Sequence, residues 1–566
     1  MKIEKGKVVF DSEEDLPPLT MSLSTTSWNR TGSWKYLEPF YQDLTPPCVD
    51  SCKVGNDIVT FMRLIDEGRY EEAARGILQH NPFPATLGRV CPHPCESPCN
   101  RKEMGGPIAI QSAERFLGDY AIEHDLMPVL PEATKPHVTV VGSGPAGLTA
   151  AYFLRVLGHP VTIAEADSKP GGLLWTGIPP YRLPREVLEK ELDRIRKMGV
   201  EFRFGVRVGQ DVPVEQLLAQ SGAVVLAIGQ TQTRALGIPG EDHRQVFDGI
   251  RLLHWIHEGR TPDVGQRVIV IGGGNTALDC ARSLLRAGKD VTILYRRSRA
   301  EMPAFPEEIA EALEEGIRIE FLAAPVRVIA EGEALTGIEC IRMKLVEADP
   351  GGRPKPVPQP GTEFIMPCDT IVKALGEVLN IEDLPDTMRR IGRVHSIDSM
   401  TEMSGLFACG DCLGHGGTVA QAVATGREAA YAAHAWLTGE KSAAPSPLLD
   451  RNASSEVAGF SRFASSYFRN QSGPRQEVRQ PEERSRDFEE VRGGLQEQQV
   501  RAEAARCFKC GTCTHCDNCR FFCPDNAIGI HPEGDVYYVR YEYCKGCLVC
   551  VEECPRDAIH QRRVEV

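Results

Sequence analysis

The chain has 566 residues, with 64 Lys and Arg against 78 Asp and Glu, a formal net charge of −14 at pH 7. That length exceeds what one hydrophobic core holds and predicts several domains, while 42% hydrophobic and 25% charged residues are ordinary for a globular protein. The acidic balance argues against a nucleic-acid partner, which needs a basic surface, and suits partners that present basic patches.

The opening MKIEKGKVVFDSEED lacks the apolar stretch of a signal peptide. No apolar run reaches the roughly 18 to 20 residues of a membrane span. The expectation is a cytoplasmic protein with no membrane span, and 20 cysteines in a reducing compartment point to metal ligation rather than disulfides.

Residues 1–45 read as an extended arm carrying Trp28, Trp34 and Tyr36. Residues 46–130 read as a helical, cysteine-bearing domain, with apolar spacing that predicts one helix over roughly 58–79. Cys48 and Cys52 stand at i and i+4 behind two prolines, which puts two thiols on one face of a helical turn. GRVCPHPCESPC adds Cys91, Cys95 and Cys99 at intervals of four. Four thiolates make one [4Fe–4S] site, so five leave one over; zinc could use the same thiolates.

Residues 131–240 begin a nucleotide-binding domain. HVTVVGSGPAGLTAAYFLRVLGHPVTIAEA reads strand, glycine turn, helix, strand. Gly142, Gly144 and Gly147 form the fingerprint, with Pro145 and Ala146 opening the helix, and Glu165 ends the second strand where an acid takes ribose hydroxyls. The residues alone leave FAD and NAD open here. Residues 241–375 repeat the unit: Gly272, Gly274 and Ala277 are the fingerprint in its alanine variant. An acid is missing after the second strand, where Tyr295, Arg296 and Arg297 stand instead. Guanidinium groups bind a 2′-phosphate that a carboxylate would repel, so NADPH is favoured over NADH. The alternative is that these arginines only solvate a strand end.

Residues 376–437 include GLFACGD, which reads as a strand ending at Gly410 and Asp411, then a helix starting near Thr418, Val419 and Ala420. Residues 438–500 read as a Ser-, Ala-, Pro- and Arg-rich linker followed by a charged helix. In residues 501–566, Cys513, Cys516, Cys519 and Cys523, then Cys544, Cys547, Cys550 and Cys554, repeat the C-x2-C-x2-C-x3-C-P spacing of a bacterial two-cluster ferredoxin, whose fourth cysteine serves the other cluster. Cys507 and Cys510 are surplus to it. Cys280, Cys340, Cys368, Cys409 and Cys412 are scattered and read as small buried residues, although Cys409 and Cys412 have redox-motif spacing.

GRVCPHPCESPC, PIAIQSAERF, GSGPAG, GGLLWTGIPPYRLP, GGGNTALD, YRR and the Gly-Asp element follow in that order. Over roughly residues 46–437 the chain resembles the glutamate synthase small (beta) subunit and the amino-terminal half of dihydropyrimidine dehydrogenase. The resemblance implies an α/β fold: a helical iron–sulfur domain, a two-dinucleotide-binding-domain flavoprotein with one Rossmann-like unit inserted in the other, and an α+β bacterial ferredoxin domain. It implies FAD at the first site, held by the fingerprint with Gly172, Leu173, Arg182, Gly410, Asp411, Thr418 and Val419, and NADPH (NADH is the alternative) at the second, with Asn275 and Thr276. Hydride transfer through FAD requires no protein acid or base, so no catalytic residue is assigned.

Relatives of this kind carry Glu-Ala-x-Arg-Cys-Leu-x-Cys before the segment matching Cys48. Here that piece is absent, but AEAARCFKC at 502–510 resembles it. The resemblance implies that the tail returns Cys507 and Cys510 to the amino-terminal domain. One cluster would use Cys52, Cys91, Cys95 and Cys99, the other Cys48, Cys507, Cys510 and Glu114, making four [4Fe–4S] clusters in all. The expected activity is an NAD(P)H oxidoreductase passing electrons to or from a ferredoxin or partner redox enzyme, such as a dissimilatory sulfite reductase or a 2-oxoacid:ferredoxin oxidoreductase; a homodimer or hetero-oligomer is compatible with it. The alternatives are a glutamate synthase small subunit proper and a non-enzymatic electron-transfer scaffold.

Overall fold

A computed structural model describes residues 30–260, 263–347, 352–380, 394, 396–414, 417–440, 454–532 and 536–564, together with 2–4, 7–9, 12 and 14. Trp28 lies outside the described residues, as do 441–453 of the expected linker.

Two sheets form the centre, the second parallel throughout and the first parallel except for its antiparallel edge strands 396–397 and 400–401. The first has seven strands in the order 396–397, 400–401, 406–408, 223–226, 138–141, 161–165 and 201–204. Val138–Val141 and Ala223–Leu226 are buried throughout, as central parallel strands covered on both faces must be. The second sheet has five strands in the order 246–248, 370–373, 267–271, 290–295 and 318–321. Its strands fall between residues 246 and 373, and the strand Leu406–Ala408 pairs with Ala223–Leu226 in the first sheet. The second unit is therefore inserted into the first. An antiparallel group built on Ala323–Glu331 and Ala334–Val346 hangs from the second unit.

The amino-terminal helices are Pro47–Ser51, Ile58–Asp66, Tyr70–Leu78, Pro84–Val90 and Ile110–Glu123. The single helix expected over 58–79 is two helices. Gly68 has φ +76°, a left-handed conformation that glycine adopts freely and that ends the first helix. Pro84–Val90 and Ile110–Glu123 cross at backbone contact: a Cβ on Gly118 would lie 2.1 Å from Ala85 N, and one on Gly88 would lie 2.4 Å from Arg115 N.

The tail packs on this domain, and the arm strand packs on the tail. Helix Glu497–Arg506 buries Val500 and Ala504 in one core with Phe61, Met62 and Leu117. The arm strand Leu37–Tyr41 pairs antiparallel with the last strand, Ile559–Arg563. Ser454–Val457 runs parallel to Leu44–Thr45. Much of the segment expected as a linker is thus packed chain. Arg484, only 2% exposed, reaches Glu315 at 3.1 Å, and Arg492 reaches Glu311 at 2.7 Å. Within residues 482–506 the helical stretches are Pro481–Arg484 and Glu497–Arg506, with a non-helical span between them. No helix among the described residues is long and apolar enough to cross a membrane.

Candidate functional site

The first glycine turn is an open anion cradle. Gly142 has φ +96°, and a Cβ there would meet Ala227 O at 2.5 Å; at Gly147 it would meet Gly142 O at 2.0 Å. Gly144 has nothing within 4 Å, so its face is clear for a ligand to approach. Pro145 occupies the first helical turn, where its missing N–H costs nothing, and Ala146 follows it in the helix Pro145–Val156. Helix N–H groups at that end attract phosphate. Glu165 ends its strand and accepts hydrogen bonds from Ser143 N and Asp167 N. Gly172, with φ +52°, leans over the turn: its Cβ would lie 3.0 Å from Gly144 Cα, and Leu173 starts the next short helix.

From the far segment, Gly410 N donates to Thr425 Oγ1 at 2.9 Å, and burial holds the Asp411 carboxyl above its ordinary range. Thr418 caps the helix Val419–Thr438 by accepting from Gln421 N. Arg182 is placed elsewhere than expected. Its guanidinium lies 2.8 Å from Asp279 and 3.0 Å from Glu308, both in the second unit, so it ties the two units together rather than turning to the glycine cradle.

The second cradle repeats the geometry. Gly272 has φ +150°, with a Cβ clash at 2.1 Å on Ala374 O, whereas Gly274 has only a Pro303 carbon at 4.0 Å. Asn275, Thr276 and Ala277 open the helix Asn275–Arg286, and Asn275 Oδ1 accepts from Phe305 N at 3.0 Å. Arg296 is exposed at the strand end, while Arg297 Nε donates to Pro354 O at 3.0 Å.

The cysteines gather around cavities in three groups, with a fourth group set by mutual proximity. One cavity is lined by Cys48, Cys99, Cys507 and Cys510, with Asn100, Arg101 and Phe508. A second is lined by Cys52, Cys91 and Cys95 with Glu114, Gln111 and Asn56. Cys99 and Glu114 have therefore changed places relative to the expected sets. The reason is local. Helix Pro47–Ser51 ends at Cys52, and Cys48 and Cys52 line different cavities, so the two thiols do not serve one site. Glu114 follows Cys52 because Asn56 and Asn81 hold its Oε1 at 3.0 and 2.7 Å.

Charge effects show the same grouping. Burial first, then Cys510, Cys507 and Cys99, pushes the Cys48 thiol well above its usual range. Burial and then Glu114 push Cys91 up to about 12. Burial also raises Glu114 to about 8 against its two amide donors.

A third cavity is lined by Cys523, Cys544, Cys547 and Cys550, which pairs the fourth cysteine of the first run with the second run. Cys513, Cys519 and Cys554 act on one another, and Cys516 acts on Cys519 and Cys554. Sulfur atoms here receive hydrogen bonds that sequence reasoning did not find: Ala527 N to Cys523 at 3.2 Å, Ala558 N to Cys554 at 3.4 Å, Tyr41 OH to Cys519 at 3.3 Å, and Asn100 Nδ2 to Cys510 at 3.6 Å. Donors of this kind stabilise sulfur that carries negative charge. Among the described residues no three His, Cys, Asp or Glu converge on a point that would hold a single metal ion. Thiols spaced around a cavity are the donor set of an iron–sulfur cube. The scattered Cys280, Cys340, Cys368, Cys409 and Cys412 are all buried, and Cys412 Sγ donates to Cys409 O at 3.1 Å.

Three families match the chain: pyridine nucleotide-disulphide oxidoreductase over residues 136–429, dihydropyrimidine dehydrogenase domain II, 4Fe-4S cluster, over 41–126, and 4Fe-4S dicluster domain over 512–558. The chain is 38% identical over 501 residues to the beta subunit of the NADP(+)-dependent formate dehydrogenase of Moorella thermoacetica, covering 82% of this chain and 71% of that one. It is 42% identical over 360 residues to the beta subunit of the NADPH-Fe(3+) oxidoreductase of Geobacter sulfurreducens, covering 62% and 53%; the chain thus spans about half the length of that relative. It is 34% identical over 418 residues to the small chain of Escherichia coli glutamate synthase [NADPH], covering 69% and 89%.

Proposed function

The chain belongs to the pyridine nucleotide-disulphide oxidoreductase family and carries 4Fe–4S domains on both sides of that unit; on that premise we propose that it moves electrons between NADPH and a partner redox protein through FAD and four [4Fe–4S] clusters. The reading rests on one observation above all. Ala420, in the first turn of the helix Val419–Thr438, which packs on the helix of the first glycine cradle (a Cβ on Gly426 would lie 2.3 Å from Ala146 O), lines the same cavity as Cys52, Cys91 and Cys95. Cysteine sites thus begin beside the first nucleotide unit, and a second, lined by Cys48, Cys99, Cys507 and Cys510, joins the helical domain to the tail.

Bound FAD would accept hydride from NADPH and release the electrons singly. The residues do the rest. Gly142, Gly144 and Gly147 clear room for the pyrophosphate of FAD, and Glu165 stands where the ribose hydroxyls would be received. Gly272, Gly274 and Ala277 do the same for NADPH, with Arg296 and Arg297 supplying positive charge for the 2′-phosphate. Cys52, Cys91, Cys95 and Glu114 would hold the cluster next to the flavin. Cys48, Cys99, Cys507 and Cys510 would hold the second. Cys513, Cys516, Cys519 and Cys554 would hold the third, and Cys523, Cys544, Cys547 and Cys550 the fourth.

The partner is another subunit or a ferredoxin. The Moorella relative favours a formate dehydrogenase among the candidates, which also include a dissimilatory sulfite reductase and a 2-oxoacid:ferredoxin oxidoreductase. The glutamate synthase reading has the weaker support, because an appended dicluster ferredoxin has no task in it.

Anaerobic addition of NADPH to purified protein tests the reading. The visible flavin band bleaches and paramagnetic reduced clusters appear, and both respond less to NADH. A protein whose flavin band responds to neither nucleotide is a scaffold, and the dehydrogenase reading is then wrong. Native pulldown identifies the partner.

A further inference from the structure

The arm ends against the last cluster site. After the turn Thr31–Trp34, Gly32 N donates to Glu542 O at 3.0 Å, and Lys35 Nζ donates to Gly32 O at 3.2 Å and to Tyr541 O at 3.0 Å. The Lys35 side chain is 9% exposed, with its ammonium 5.4 Å from the Tyr541 ring centre. The arm presses on the loop between two ligands: a Cβ on Gly546 would meet Leu37 O at 2.1 Å and Lys35 Cβ at 2.9 Å. Pro39 lines the cavity with Cys523, Cys544, Cys547 and Cys550.

Glu38 lies 3.6 Å from Lys35 Nζ, and Arg562 holds the same carboxylate at 2.8 Å. Asp525 is neutralised by Lys545 at 2.7 Å. Burial raises the Cys544 thiol, and Gly546 N–H and Lys35 oppose it. At the neighbouring site an anion and a cation stand together: Asp43 Oδ1 accepts from Cys513 N at 3.1 Å, and Arg556 acts on Cys554.

We propose that Lys35 is a potential-setting residue, carried in by the arm so that the cluster on Cys523, Cys544, Cys547 and Cys550 is easier to reduce than it would be without that ammonium. One added electron makes a cluster more negative, and a desolvated ammonium close by stabilises that form. The arm thereby raises the potential of this cluster, the distal one in chain order. This rests on the reading of the tail as a dicluster ferredoxin.

The test is a potentiometric titration of full-length holoprotein with chemical mediators, followed by EPR, on wild type, Lys35→Met and Lys35→Arg. The distal cluster is identified as the signal lost in Cys547→Ala. With Lys35→Met, its reduced-to-oxidised ratio at a fixed potential falls about tenfold, a negative midpoint shift of about 59 mV for one electron, while the other clusters stay in place. Lys35→Arg keeps the wild-type midpoint.

An unchanged midpoint overturns the proposal. So does a positive shift, because water entering after the arm lifts away would stabilise the reduced form and leave Lys35 only a clamp. Iron content separates the two levels of the argument. A wild-type tail without clusters removes the ferredoxin reading itself, whereas a full iron count with no negative shift removes only the role of Lys35.

Discussion

Removing ligands in combination tests the regrouping of the amino-terminal cysteines. Cys48, Cys99, Cys507 and Cys510 line one cavity, and Cys52, Cys91 and Cys95 with Glu114 line another. A complete protein with four clusters carries about sixteen irons. Cys99→Ala should take one cluster and leave about twelve, and the pair Cys507→Ala and Cys510→Ala should take the same cluster and leave the same number. The triple variant should also stay near about twelve, because residues that share one site are not additive. Cys99→Ala with Cys91→Ala should leave about eight irons, since those two residues serve different cubes. Iron and acid-labile sulfide per chain, with EPR spin counts on the reduced protein, read these numbers. If Cys99→Ala added to the tail pair lowers the count to about eight, Cys99 belongs with Cys91 and the grouping drawn from the cavities is wrong.

Two further perturbations address the nucleotide and the strap, the packed segment of residues 454–496 that precedes helix Glu497–Arg506. Replacing Arg296 and Arg297 by Ala should raise KM for NADPH about 10- to 100-fold, the size of losing charged hydrogen bonds worth about 1.5–3 kcal/mol, and leave KM for NADH nearly unchanged; equal losses for both would show that the arginines do not read the phosphate. Glu315 accepts from Arg282 at 2.6 Å, Arg286 at 2.8 Å and Arg484 at 3.1 Å, with its own side chain fully buried. Glu315→Gln leaves these guanidinium groups short of a counter-ion, a loss of about 3–5 kcal/mol for a buried pair. Hydrogen exchange at Arg479 N and Val491 N, which bond to Val491 O and Tyr181 O, should accelerate at least a hundredfold (about 2.7 kcal/mol); unchanged protection would mean that the strap is held by other contacts. Burial raises the Glu315 carboxyl, but Arg282 and Arg286 outweigh it and hold the group below the ordinary range. Its stabilisation is therefore complete above the unfolded value of about 4.3 and is lost as pH falls through the folded value, so acid should loosen the same amides in wild type and have less to release in Glu315→Gln.

Local patterns were legible in the residues because their causes are local. A glycine turn between a strand and a helix announces itself in a dozen residues, and both cradles have the open second glycine that the pattern implies. The ferredoxin spacing pairs Cys523 with the second run, as chain geometry over thirty residues requires. What the residues hid depends on distant packing. The exchange of Cys99 and Glu114 follows from where Asn56 and Asn81 hold the Glu114 carboxyl, and no spacing rule carries that. Arg182 lies in a motif associated with the flavin, yet Asp279 and Glu308 from the inserted unit claim its guanidinium. The strap looked like linker because it is polar; its arginines find buried carboxylates only when helix Pro306–Glu314 is in place.

The packing of the tail on the helical domain, and of the arm strand on the tail, explains why the tail can be an electron conductor rather than a tethered accessory. A ferredoxin on a flexible linker would meet the flavin domain by diffusion, at a rate set by linker length. Here three joints remove that freedom. The helix Glu497–Arg506 shares a core with the amino-terminal helices. The buried pair of Glu503 and Arg506, at 2.6 Å, reaches across it: Glu503 accepts from Ala109 N, and Arg506 donates to the carbonyls of Gly105 and Gly106. The arm strand then continues the ferredoxin's last strand. With Cys507 and Cys510 lining the Cys48 cavity three residues before Cys513, the tail cannot leave without dismantling a cluster site. Fixed cofactor spacing is the consequence, and it makes the stability of the joint a condition of electron flow.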